Sequence, residues 1–120
     1  MRYALLLAAP LLIAAAGDMS VATFLAKADA LKAKGAMALF SSDLGVLKRE
    51  GEAAGKRWRA SLEADKRAGR KPSSCPPAKA SMTSDDFLNG MRAVPPEQRA
   101  RTSVTQAFGA MMARRYPCRA

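Results

Sequence analysis

Ser73-Ser74-Cys75-Pro76-Pro77 opens, and Arg114-Arg115-Tyr116-Pro117-Cys118 closes, the stretch on which the reading of this chain turns. Cys75 and Cys118 are the only 2 cysteines in 120 residues. In an exported chain an isolated pair is far more often a disulfide than a metal or redox site. A bridge would close a loop of about 43 residues, worth roughly 4 kcal/mol on the chain-entropy model. A domain of this size holds only about 5–15 kcal/mol in total, so such a staple can decide whether it folds. The segment reads as a clamped helical pair against which the remainder packs.

Export is read from the N-terminus. Met1-Arg2-Tyr3 carries one positive charge, and Ala4 to Ala16 is apolar throughout. That run matches the charged and apolar regions of a secretory signal and falls short of the roughly 20 residues a bilayer span needs. Ala14-Ala15-Ala16-Gly17 offers the small residues a signal peptidase reads, with the cut after Ala16 or Gly17. Residues 1–17 are therefore expected to be a signal peptide and 18–120 a single helical domain in the periplasm, with no membrane attachment after cleavage. Loss of Arg2 leaves 19 of the 20 basic residues against 10 acidic ones, a net charge of +9. An excess this large in a cytosolic protein would suggest nucleic acid. For an exported one no nucleic acid is expected, and anionic envelope polymers, an acidic protein partner or plain solubility take its place.

Between leader and clamp the pattern is helical. Asp18 to Gly35 has Ser20 as N-cap, Met19 and Phe24 placed as a hydrophobic staple, and Val21, Phe24, Leu25, Ala28 and Leu31 on one face. Lys32, Lys34 and Gly35 suit its C-terminal end. Ala36 to Phe40 is a short apolar piece, a turn or brief helix. Ser41-Ser42-Asp43 then offers an N-cap for one long helix running to about Ala68, with Leu44, Leu47, Ala54, Trp58 and Leu62 in a stripe. Gly51 and Gly55 within it mark either a close approach of another helix or a kink. Its other side is basic: Lys48, Arg49, Lys56, Arg57 and Arg59 form a solvated face or a docking face for an anionic partner. Trp58 sits on the apolar stripe and is expected in the core.

Gly69 to Ser84, with Pro72, Pro76 and Pro77, reads as a linker pinned at Cys75. Ser84 is expected to cap a third helix through about Val94, with Asp85 and Asp86 in its first turn and Phe87, Leu88 and Met91 inward. Pro95-Pro96 stops it. Thr102 or Ser103 caps a fourth, Ser103 and Gln106 forming a capping box, with Val104, Ala107, Phe108 and Met111 inward. Met82, Met91, Met111 and Met112 are adaptable core filler. The fold class is all-α, a small bundle of about four helices with one disulfide.

The chain contains no histidine, so Ser-His and Cys-His triads, imidazole acid–base chemistry and His-ligated zinc are excluded. No phosphate-cradling glycine motif is present. No catalytic residue, metal or cofactor is expected, and a binding or structural protein remains.

Ser74-Cys75-Pro76-Pro77, then a helix ending in Arg92-Ala93-Val94-Pro95, then Gln106-Ala107-Phe108 leading to Arg115-Tyr116-Pro117-Cys118, resembles the C-terminal half of the Tai (type VI secretion amidase immunity) proteins. The resemblance covers about 45 residues and rests on the Cys-Pro and aromatic-Pro-Cys ends at this separation. It departs in the first half, where many relatives carry a Cys and a Gly-Tyr-Ile-type segment and this chain reads Lys48 to Trp58 as above. The resemblance implies a small, secreted, all-helical, disulfide-bonded and often homodimeric protein that blocks a peptidoglycan amidase by pushing a loop into its groove. Gly69 to Ser81 is the candidate loop, with Arg70, Lys71, Ser73, Lys79 and Ser81 as candidate partner-binding residues. The alternative is a periplasmic structural or stress protein that binds anionic envelope polymers or client proteins.

Overall fold

The structure, a computed structural model, describes residues 18–119; the expected signal peptide at 1–17 lies outside them. Local signals place the elements. Ser20 accepts the Thr23 N–H and starts α1, Val21–Lys34, which Gly35 ends with a φ of 57° and an N–H donated to the Lys32 carbonyl. Such a φ suits a residue without Cβ. The apolar piece is a 3₁₀ segment, Gly35–Phe40. Ser41 then accepts the Asp43 N–H and begins α2, Ser42–Arg67, a continuous 26-residue helix.

The third helix corrects one cap. Thr83, not Ser84, is the N-cap of α3, Ser84–Arg92, in a reciprocal box with Asp86. Three residues beyond Thr83 stands an acid that can accept the N-cap N–H; three beyond Ser84 stands Phe87, which cannot. α3 also ends two residues earlier than Val94, because the residue before Pro95 is pushed out of the helical region. A 3₁₀ segment, Pro96–Arg101, follows, unanticipated by the proline reading. It lets Arg99 reach back and donate to the Arg92 carbonyl, which the end of α3 leaves without a helical partner, and to the Val94 carbonyl beyond it, both at 2.8 Å. Ser103 and Gln106 form the expected capping box at the start of α4, Val104–Arg115.

Packing joins the four helices through four rings, one from each. Phe24 of α1 lies 5.5 Å from Phe87 of α3, Phe87 lies 5.6 Å from Phe108 of α4, and Phe108 meets Trp58 of α2 edge-on at 5.4 Å. Gly90 makes room for a large side chain between helices, whereas Gly51 and Gly109 have space for an ordinary contact. A Cβ on Gly51 would sit 3.8 Å from the Phe87 ring, one on Gly109 would sit 3.8 Å from Trp58, and one on Gly90 would run into the Met111 side chain. α2 is unbroken at Gly51, and a Cβ there would meet the Phe87 ring at ordinary contact distance, so the residue marks neither a kink nor an enforced close approach. Gly55 meets nothing within 4 Å. Met91, Met111 and Met112 are buried as core filler, and Met82 is half-buried against the same cluster. The expected all-α fold with one disulfide is what the chain adopts: Cys75 and Cys118 are bridged.

The α3 cap responds to acid. The Thr83 backbone N–H, then the Thr83 hydroxyl and Arg115, hold the Asp86 carboxyl below the usual carboxylate range. A lowered folded-state value gives stability that is fully present above the unfolded value, near pH 4, and is lost as pH falls through the folded one. The wild-type urea midpoint should therefore fall between about pH 5 and about pH 2.5. Asp86→Asn should show a lower midpoint at the higher pH and a smaller drop. An equal drop in both proteins would assign the acid sensitivity to other carboxylates.

Candidate functional site

Two surfaces present residues that the core does not use. The first is the irregular segment 68–83 between α2 and α3. Ser74 within it is 1% exposed, and its hydroxyl is placed to donate to the Met112 carbonyl at 2.9 Å and the Tyr116 carbonyl at 3.0 Å. The Cys75 N–H donates to Tyr116 O at 2.8 Å. The Tyr116 carbonyl lies past the last turn of α4 and takes its donors from the segment, while the Met112 carbonyl, which already accepts the Tyr116 N–H at 2.8 Å, receives a second one. Together with the disulfide this makes the segment a fastened strap, more ordered than a linker reading implies. Arg70, Lys71, Ser73, Lys79 and Ser81 are all exposed on it. Arg70 pairs with Asp65 of α2 at 3.1 Å, so part of its charge is answered within the chain.

The second surface is the corner where α1 turns into α2. The 3₁₀ segment leaves Met37 65%, Leu39 75% and Phe40 82% exposed. Beside it runs a groove of about 890 Å³ between α1, α2 and the start of α3. Leu31, Leu44, Leu47, Phe87 and Leu88 line it, with Lys32, Lys48, Glu52 and Asp85 among its charged lining residues. None of these four charges has an ion-pair partner among the described residues. Two ion pairs lie nearby: Lys27 with Asp43 at 3.5 Å, and Arg92 with Asp29 at 2.9 Å. Exposed apolar patches of this kind mark interaction sites more often than single exposed side chains do.

The expected basic face of α2 is divided. Lys48 belongs to the groove, Arg49 and Lys56 are exposed, and Arg59 lies over the Trp58 ring at 5.4 Å. Arg57 is half-buried, so it does not belong to a fully solvated stripe. Trp58 is 3% exposed and cannot serve as a stacking platform for a ligand. The sequence reading missed the functional interest of Met37, Leu39 and Phe40. The available signal was a run of large apolar residues too short to form a helix with its own buried face.

Among the described residues no group of His, Cys, Asp and Glu could hold a metal ion, and no helix is long and apolar enough to cross a membrane. Fold and surface define a small, disulfide-clamped helical protein with an apolar corner beside a groove. No family model, curated protein or solved structure matches the chain.

Proposed function

We propose that this protein is an exported helical binding protein that acts as an immunity protein, inhibiting a type VI secreted peptidoglycan amidase. The resemblance of the 74–118 segment to the Tai proteins supplies the partner class. The observation that carries a binding role is the apolar corner: Met37, Leu39 and Phe40 stand out beside a groove on a scaffold stapled at Cys75–Cys118. An inhibitor needs no reacting groups of its own, only a surface that arrives ordered, because ordering on docking subtracts from affinity. Large apolar side chains that become buried at the centre of an interface carry most of its energy. The corner therefore supplies the affinity, and the strap carrying Arg70, Lys71, Ser73, Lys79 and Ser81 lies outside the central contact.

The test is titration against an amidase encoded beside this chain. A Met37→Ser, Leu39→Ser, Phe40→Ser variant should inhibit at least about 100-fold more weakly, the equivalent of about 2.8 kcal/mol. Its circular dichroism and Tm should be unchanged, because these side chains are already in water. Alanine at Arg70, Lys71, Ser73, Lys79 and Ser81 should change inhibition less than about tenfold. The reverse ranking moves the inhibitory contact to the strap, and no inhibition by wild-type protein overturns the immunity role. The net charge of +10 favours a second reading, an envelope-polymer binder acting through Lys48, Arg49, Lys56 and Arg59. Such binding would collapse between low and moderate salt, whereas docking on the apolar corner would not.

A further inference from the structure

Glu50 stands on the apolar stripe of α2, four residues before Ala54 and eight before Trp58, and is 6% exposed. A carboxylate so placed needs a counterpart, since burying an unpaired charge is costly. Among the described residues no Lys or Arg pairs with it. Its contact is the backbone N–H of Met19, which donates to Glu50 Oε2 at 3.2 Å. Met19 is itself fixed. Its carbonyl accepts the Val104 N–H at 2.9 Å, Val21 N–H donates to Thr102 O at 2.8 Å, and Ser20 bridges Ser103. The N-termini of α1 and α4 thus lie side by side near the carboxylate, and the positive ends of both helix dipoles favour its charge. Among the described residues the site lacks a full cation.

Removal of a leader after Gly17 would make one. The new α-amino group would belong to Asp18, one peptide unit before the Met19 nitrogen and about 4 Å or less from it. Rotation about the Asp18 backbone brings an ammonium there within reach of the Glu50 carboxylate. We propose that Glu50 is a receptor for the α-ammonium of the processed chain, so that cleavage completes the anchor of α1 and the precursor lacks it. The inference rests on the leader reading of residues 1–17. It assigns the buried acid a task in maturation: the uncleaved chain folds less firmly than the processed one.

All the described helices and the Glu50 site lie within 18–119, so the chain beginning at Asp18 can be prepared directly and the site tested apart from natural processing. Four proteins suffice: free or acetylated α-amine, each with Glu50 or with Glu50→Gln, compared at about pH 6, where a free amine is charged. Acetylation at a helix N-terminus ordinarily stabilises, because it removes a positive charge from the positive end of the dipole. Here it should lower Tm by about 4–8 °C, the effect of one charge-assisted hydrogen bond in a domain near 100 residues. With Glu50→Gln that loss should vanish. An unchanged or raised Tm on acetylation of the Glu50 protein, or an equal loss in Glu50→Gln, overturns the proposal. Should Glu50→Gln fail to fold, the rate of α-amine acylation in folded and urea-unfolded wild type decides: at least about tenfold slower in the fold supports the pair, and equal rates overturn it. Intact mass of the exported chain tests the leader separately. A mass beginning at Asp18 supports the maturation step, and a full-length mass overturns that step whatever the Tm values show.

Discussion

Breaking the Cys75–Cys118 bridge, by reduction or by Cys118→Ser, should lower the unfolding free energy by about 2–5 kcal/mol. The two cysteines are 43 residues apart in sequence, with α3, the second 3₁₀ segment and α4 between them. The cross-link removes a large part of the freedom of the unfolded chain, and its effect falls on nearly half of the helical core. What remains after cleavage is the non-covalent fastening: the Ser74 hydroxyl on the Met112 and Tyr116 carbonyls, and the Cys75 N–H on Tyr116 O. Each such bond contributes a net of about 0.5–1.5 kcal/mol. They keep the strap near α4 in the folded state but place no constraint on the unfolded one. Urea unfolding with and without reductant measures the difference. A reduced protein with the same midpoint as the oxidised one would show that the hydrogen bonds alone hold the clamp. Ser74→Ala in the reduced background should then destabilise further, since it leaves buried carbonyls with one donor fewer.

Trp58→Ala should cost about 3–5 kcal/mol, the range for truncating a buried large aromatic. Trp58 is 3% exposed, meets Phe108 edge-on, and lies against α4 beside Gly109. It is the α2 end of the four-ring chain that runs through α4 and α3 to α1, and α2 packs more extensively on α4 than on any other element. Deleting it opens a cavity at the main helix–helix contact. Trp58→Phe should cost far less, under about 1.5 kcal/mol. Among the described residues the buried indole Nε1 has no hydrogen-bond partner, so the smaller ring removes a desolvated donor while keeping the edge-on contact. Chemical denaturation of both variants separates the explanations. Equal losses for Ala and Phe would mean that the indole nitrogen has a hydrogen-bond partner through water.

Much of this architecture was written locally. Ser20, the Ser103 and Gln106 box, Gly35 and Pro95-Pro96 fix where helices begin and end, because a cap or a proline acts within a few residues of itself. Period and composition then name the inward faces of α1 and α4, and two cysteines in an otherwise cysteine-free chain name the clamp. The tertiary structure decided the rest. Glu50 lies on the apolar stripe but reads as a surface acid until the chain before α1 is brought against it. Gly90 reads as a weak helix residue until α3 crosses α4 at Met111. Ser74 reads as a linker serine until the strap meets the last turn of α4. The same holds for the candidate site. Met37, Leu39 and Phe40 are apolar by sequence, and only the angle between α1 and α2 leaves them in water, since burial depends on which elements meet and no local signal records where two helices cross.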